Sequence, residues 1–529
     1  MMSKWGPLTA VCLGTFMLLL DVTIVIVALP DMALSLGASL SELQWVIDIY
    51  ALALAALLLG AGAAADVTGR RRVYVVGTVV FALASLACGL AAGPVMLIAM
   101  RGLQGVGGAA MFATTLSLLG SSYQGKDRSV ALGVWGAVSG AAAAIGPVLG
   151  GVLTQALDWR WIFLVNLPVS AAAIWMTLRY VPQARGRAGQ RVDWAGTVAF
   201  ALFAGALTFA VVRADAVGWA SADTVLTLSF AALALIAFVV IERRAAHPLL
   251  DLRLLRRPSF AVVMAGALAF NAAAFGVLPY TSIWLQTLLG MSPVRGGLVV
   301  LPLAAASFVV AAVGGRLLHG ASPRLVIGGG LVLIGGGALA QSVLGADSGW
   351  GVLVPGFVLV GIGVGLVSPA LAGAALASVP ARNAGMAGGA VNTFRQLGYA
   401  LGVAVFGTVV TSRMADSLLG VTGDPESARE AAHALAGGGA GALQGRLPDE
   451  ALHAAFASGL DGAALTAGAV GVLAGLAVLV FLKPVPPAKA ATEGGAGRPG
   501  GRGGGVPLTG VPRDGAPQPT GLPLRPYTR

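Results

Sequence analysis

The chain has 529 residues, of which 57% are hydrophobic and only 10% charged. Soluble domains carry about 25% charged residues, so an ordinary water-soluble fold is excluded. The net charge of +11 does not indicate nucleic acid, because the basic residues are scattered through short stretches between apolar runs, where positive charge reports membrane topology.

Apolar runs of about 20 residues match a hydrocarbon core of about 30 Å. They predict about fourteen spans, at roughly 8–29, 44–65, 73–92, 95–119, 129–156, 161–180, 194–213, 222–241, 260–288, 297–318, 323–343, 350–377, 386–411 and 460–482. The first run contains Asp21 and is too long for a signal-peptide core, so it reads as a retained span. An even number of spans puts both termini on one side. Arg70, Arg71 and Arg72, then Arg243, Arg244, Arg253, Arg256 and Arg257, fall on that same side, and the positive-inside pattern makes it the cytoplasm. Residues 412–459 read as a long outer loop in which Asp424-Pro425-Glu426 opens a surface helix. From Pro484 onward the Gly, Pro and Arg content predicts disorder.

Side chains inside the runs follow the same logic. Cys12 and Cys88 lie within apolar stretches and read as small buried hydrophobes. The tryptophans near span ends, Trp45, Trp159, Trp161 and Trp219, read as interface anchors. His247, His319, His433 and His453 fall in predicted loops without metal-ligand spacing. No metal and no cofactor is expected, and nothing in the sequence supports an enzyme. No phosphate-binding loop with a Gly-Lys-Ser/Thr ending is present, so no built-in ATPase is expected.

Asp21, Asp48, Arg101 and Arg395 sit within spans, where a charge costs about 2.5–3.5 kcal/mol on insertion scales. By helical rise, Asp21, Asp48 and Arg101 all fall in the outer half of the membrane and can face one cavity. Asp21 and Arg101 can equally form a structural pair, and Asp48 can reach the water interface. A carboxylate in a low-dielectric cavity suits proton coupling, since burial raises its pKa and a nearby Arg lowers it. Such a site also attracts a cation that competes with the proton. Asn392, Arg395 and Gln396 share one helical face and read as a polar stripe lining a cavity, or as hydrogen bonds between helices.

After the second predicted span the chain reads Gly62-Ala-Ala-Ala-Asp66-Val-Thr-Gly69-Arg70-Arg71-Arg72. An acid beside a Gly turn and a basic cluster can act as an electrostatic latch. This stretch resembles the cytoplasmic signature of the major facilitator superfamily. Further stretches are similar to that family in the same order. Leu97-Ile-Ala-Met-Arg101-Gly-Leu-Gln104-Gly105 resembles the motif whose Arg is implicated in proton transfer. Gly146-Pro147-Val-Leu-Gly150-Gly151 resembles the antiporter motif, whose clustered Gly and single Pro let helices pack closely and pivot. Trp159-Arg-Trp-Ile-Phe-Leu-Val-Asn166-Leu-Pro168 and Leu20-Asp21-Val-Thr-Ile-Val-Ile26-Val-Ala-Leu-Pro30 resemble the fourteen-helix drug:proton antiporter branch, with Ile26 where many members carry Asn.

That resemblance implies an all-α membrane protein of the major-facilitator fold. Two six-helix bundles, residues 1–180 and 260–483, would flank two extra spans within 181–259, followed by a tail at 484–529. It implies proton-driven export, from a bacterial cytoplasm, of lipophilic, cationic drugs or toxic metabolites. The site residues it implies are Asp21, Asp48 and Arg101 for coupling and Gly62, Asp66, Gly69, Arg70 and Arg71 for a cytoplasmic gate. Gln104, Asn166, Asn392, Arg395 and Gln396 would serve as polar groups of the cavity. Partners would be the substrate, the proton and the bilayer. Export of one endogenous metabolite is the alternative, and a membrane sensor without transport a weaker one.

Overall fold

The computed structural model describes residues 2–38, 40–183, 193–246, 248–317, 321–380 and 383–482. The expected tail at 484–529, His247, His319 and most of the 181–193 linker lie outside the described residues. Within them the chain is helical, with one isolated bridge between Gln444 and Leu447.

The first helices in order are α1 (Met2–Leu36), α2 (Leu40–Thr68), α3 (Arg70–Gly89), α4 (Pro94–Ser122) and α5 (Gly125–Ala156). Two segments, α6 (Trp161–Leu164) and α7 (Asn166–Tyr180), make up the sixth predicted span. Then come α8 (Trp194–Val217), α9 (Ala222–Arg244) and the short α10 (Leu252–Leu255). The remainder comprises α11 (Pro258–Phe275), α12 (Leu278–Thr287), α13 (Pro293–Leu317), α14 (Pro323–Leu339), α15 (Val354–Ala377), α16 (Ala384–Thr422), α17 (Pro425–Ala436), α18 (Ala440–Leu443) and α19 (Asp449–Phe481). Among the described residues 12 helices are long and apolar enough to cross a membrane, and Pro323–Leu339 is a shorter apolar one.

Contacts divide by position along the chain. Helix α1 packs on α5 and α7, α2 on α4, and α3 on α4 and α7. Later in the chain α11 packs on α16 and α19, α14 on α15 and α19, and α13 on α15. The two sets meet where α5 lies against α13 and α2 against α16. Helices α8 and α9 pair with each other, and α8 rests on both α2 and α16. Leu226, Phe230, Leu233, Ile236 and Val240 of α9 are exposed and recur at helical spacing, which is the pattern of a face turned to lipid.

Several expectations are revised. Trp159 is buried, donating Nε1 to Ser35 Oγ at 2.7 Å and packing edge-on against Phe163. It belongs to a buried cluster with Ile24, Ala28, Met32 and Phe163. The stretch 412–459 is mostly helix: α16 runs on to Thr422 and α19 begins at Asp449. These extensions bury Met414, Leu418, Leu452 and Phe456 against each other's surroundings, which the apolar content of a membrane window does not reveal. His433 and His453 accordingly stand on α17 and α19. Gly423, at φ +71°, ends α16, and Asp424 accepts from the Glu426 and Ser427 amides to start α17. Hydrogen bonds from the Ser427 side chain and the two amides hold the Asp424 carboxyl below its usual range. The ninth predicted span is interrupted at Gly276–Val277, because Pro279 offers no amide to continue the ladder from α11.

Close helix approach depends on small residues. A Cβ on Gly335 of α14 would stand 2.6 Å from Gly468 O, and one on Gly471 of α19 would stand 2.8 Å from Gly335 Cα. In lipid, such backbone proximity is the main source of helix association. Gly471→Ile should therefore lower the thermal unfolding temperature in detergent, since overpacking costs about 1–3 kcal/mol. Gly336→Ala, where nothing lies within 4 Å, should leave it unchanged. Equal behaviour of the two variants would show that the α14–α19 seam does not limit stability.

Candidate functional site

Asp21 on α1 and Arg101 on α4 are both fully buried and form an ion pair through Oδ2 and a terminal guanidinium nitrogen. The same nitrogen donates to Gln104 Oε1 at 2.7 Å, and Arg101 Nε donates to Val46 O on α2 at 2.9 Å. Gln104 Nε2 donates to Asp21 Oδ1 at 2.9 Å and to Ser85 Oγ on α3 at 2.8 Å. Asn166, the first residue of α7, donates to Asp21 Oδ1 at 3.2 Å. Asp21 thus accepts from three side chains on two other helices, which compensates a carboxylate withdrawn from water.

The cluster closes on aromatic rings. The Arg101 guanidinium carbon lies 4.2 Å from the Tyr50 ring centroid and 5.9 Å from that of Phe163. Tyr50 is itself buried and donates its hydroxyl to Leu18 O at 3.2 Å. Its other surroundings belong to a central cavity of about 1410 Å³, open mouth included. One aromatic residue therefore touches both the buried ion pair and the cavity.

The cavity is lined by α1, α2, α4, α5, α11, α12, α13, α15 and α16. Its walls include Phe112, Phe275 and Tyr399, with Ser139, Asn271, Ser282, Gln286, Ser368, Arg395 and Gln396 as polar groups. Arg395 and Gln396 thus face it. Gln104 and Asn166 do not line it but complete the Asp21 cluster. Asn392 is buried and donates to Phe112 O at 2.9 Å, so it joins α16 to α4. Asp48 lies on α2, and its side chain is outside the described ones.

The antiporter-like glycines have a packing role. A Cβ on Gly146 would overlap the Thr23 hydroxyl, and one on Gly150 would stand 2.8 Å from Ile24 O. Absent side chains let α5 seat on α1 immediately beyond Asp21. Gly151 is buried on the same helix, while the side chain of Pro147 is outside the described ones.

A second constellation sits about 24 Å further along α2 than Tyr50, at 1.5 Å per residue. Asp66 accepts from the Gly385 amide at 3.0 Å and from the Met386 amide at 2.9 Å, capping the N-terminus of α16 from another helix. This satisfies amides that have no partner within α16 and places a negative charge at the positive end of its dipole. Arg70 donates to the same carboxylate at 3.2 and 3.3 Å. Gly62 permits the contact, since a Cβ there would stand 2.8 Å from Gly385 O. Gly69 makes the turn into α3 with φ +107°, a conformation that side chains disfavour. Arg71 instead reaches across to the end of α7, donating to Val181 O at 3.0 Å and Leu178 O at 2.8 Å.

Ser85 and Tyr50 were not singled out by sequence. A lone Ser in an apolar helix usually bonds its own backbone, so nothing marks Ser85. Tyr50 reads as one more aromatic residue of its span.

Two outcomes follow from this geometry. Asp21→Asn leaves Arg101 buried without compensation, which should cost about 3–5 kcal/mol in thermal unfolding. The double variant Asp21→Asn with Arg101→Gln should recover most of that loss, and an undiminished single variant would show the pair to be no stabilising element. Asp66→Ala removes the cap on α16, a loss of about 1 kcal/mol. In a variant with Cys12 and Cys88 replaced, a cysteine introduced by Ala387→Cys should then react with a soluble maleimide about fivefold faster. Unchanged labelling would mean that this end is held by other contacts.

The Major Facilitator Superfamily profile matches residues 11–403. The multidrug resistance protein Stp of Mycobacterium tuberculosis is 36% identical over 412 residues, covering 78% of this chain and 76% of its own. The tetracenomycin C resistance and export protein of Streptomyces glaucescens is 35% identical over 505 residues, covering 92% of this chain and 93% of its own. Among solved structures, a proton:xylose symporter of the superfamily superposes with a TM-score of 0.61 at 11% identity, over 91% of this chain and 96% of the symporter. With a buried charge cluster beside a central cavity in an apolar helical body, the chain belongs to the major facilitator superfamily and is a relative of its drug- and antibiotic-resistance exporters.

Proposed function

We propose that this protein expels lipophilic small molecules across the bacterial cytoplasmic membrane in exchange for protons. The observation that carries the reading is the buried Asp21–Arg101 cluster in contact with Tyr50, which also lines a central cavity. An acid held by a guanidinium and two amides can change its proton affinity when those partners shift. Tyr50 gives the cavity a direct mechanical contact with one of them.

In this reading Pro323–Leu339 and Gly125–Ala156 join the 12 longer apolar helices, and the positive-inside pattern puts both termini in the cytoplasm. The division expected from the sequence then has two bundles, at 1–180 and 260–483, related by a pseudo-twofold along the membrane normal. Contacts of α8 with both α2 and α16 support a placement of the extra pair between them. Rocking of the bundles would alternate access to the cavity. In this reading the Asp66 cap on α16 would act as the cytoplasmic gate; its hydrogen bonds to the Gly385 and Met386 amides support that role. Asp48 completes the coupling group by its place on α2. A mostly apolar lining with few polar groups suits a range of substrates. The transported energy comes from the proton gradient, with no cofactor.

Everted membrane vesicles with an imposed pH gradient test this reading. A panel of lipophilic cations, anions and neutral antibiotics is added, and proton release is followed by the fluorescence of a pH-gradient dye. At least one compound should dissipate the gradient in wild-type vesicles and fail to do so with Asp21→Asn. No response to any compound, or an equal response of the variant, would remove proton-coupled export by this site.

A further inference from the structure

We propose that the central cavity binds an aromatic or otherwise lipophilic compound carrying an ionised acidic group, a carboxylate or phenolate, which pairs with Arg395. This inference rests on the export reading and names the substrate class for it. It departs from the cationic preference that acids in the first two helices imply.

The charge inventory of the cavity leads to it. Asp21 is fully buried, compensated by Arg101, Gln104 and Asn166, and absent from the cavity wall. Arg395 is the charged group among the described residues that line the wall. It is 7% exposed, forms no ion pair among the described residues, and donates only Nε to Asn271 Oδ1, at 3.3 Å. Its guanidinium carbon lies 5.1 Å from the Phe270 ring centroid and 5.7 Å from that of Trp135. Aromatic faces attract a guanidinium, but they do not accept its in-plane hydrogen bonds. The terminal nitrogens therefore lack a protein acceptor among the described residues.

A buried cation without an anion is costly, and in an intramembrane setting it marks a pathway or a ligand. Its fork matches a carboxylate or a pair of phenolic oxygens better than a point charge would. A second observation points the same way. Ser368 on α15 is 3% exposed, lines the same cavity, and its Oγ has no hydrogen-bond partner. A hydroxyl donor on α15 and a guanidinium on α16 thus both await an acceptor. Phe112, Phe275 and Tyr399 supply surface for the apolar body. A lipophilic cation would meet Arg395 with no compensating acid on the described wall.

Fluorescein and rhodamine 6G share a xanthene skeleton and differ in charge, so they isolate this variable. Purified full-length protein in lipid nanodiscs is titrated against each dye by fluorescence anisotropy, at a pH where fluorescein is ionised. Wild-type protein should bind fluorescein tighter than rhodamine 6G by about tenfold or more, roughly one decade of affinity. Arg395→Gln should lose that preference while binding rhodamine 6G as before, Arg395→Lys should keep part of it, and Ser368→Ala should weaken fluorescein alone. Thermal unfolding of each variant checks that it remains folded. Arg395→Gln is expected to fold, because it removes a buried charge that has no ion partner among the described residues. Equal binding of both dyes, binding of neither, or an equal loss of both in folded Arg395→Gln would overturn the proposal. So would tighter binding of rhodamine 6G, above all if Asp48→Asn abolished it. None of those results would touch the gradient-dissipation assay, so the export reading stands or falls separately.

Discussion

The ion pair between Asp21 and Arg101 constrains the first half of the molecule, because neither charge can remain alone in apolar surroundings without a penalty of several kcal/mol. Its compensation draws on α1 for the carboxylate, α4 for Arg101 and Gln104, α2 for the Val46 carbonyl, α3 for Ser85 and α7 for Asn166. Five helices thereby share one set of hydrogen bonds. Displacing any of them leaves a polar atom unsatisfied, so the cluster fixes their register as well as their proximity. Helix α5 is placed differently, by the Gly146 and Gly150 contacts with Thr23 and Ile24. These fall on the turn that follows Asp21, so the sliding seam of α1 and the charged node of α1 are adjacent.

Two polar constellations then act on opposite ends of the same helix. Near its start α2 offers the Val46 carbonyl and the Tyr50 ring to Arg101, and near its end it offers Asp66 to the amides of α16. Between them α2 is apolar and small, with Gly62 in backbone contact with Gly385. One helix thus contacts both Arg101 and the α16 cap.

What the sequence makes legible follows from cost. Charges in apolar runs are conspicuous because they are expensive, so Asp21, Arg101 and Arg395 stand out without any structure, and the acid-glycine-arginine stretch of the latch does too. Helix positions are equally plain, since about 20 apolar residues have few alternatives in a bilayer. Pairing between helices is not, because it is decided by three-dimensional approach. Gln104 and Asn166 therefore read as cavity groups and turn out to bind Asp21, while Asn392 spends its amide on the Phe112 carbonyl. Inexpensive residues leave no trace: Ser85 looks like any helical Ser, and Trp159 looks like any Trp beside a span. The helical ends within 412–459 were hidden for a related reason, since α17 and the extensions of α16 and α19 bury alanines and leucines against protein beyond the apolar windows.

Arg101 and Arg395 show why residue type alone does not assign a role in such a protein. Both are buried arginines in contact with aromatic rings. Arg101 is held by a carboxylate, a carboxamide and a carbonyl, and it does not line the cavity. Arg395 is held by one carboxamide and stands on the cavity wall. In the first case the charge is internally balanced by a carboxylate of the protein itself. In the second the imbalance is part of the resting state, and whatever enters the cavity determines how it is resolved.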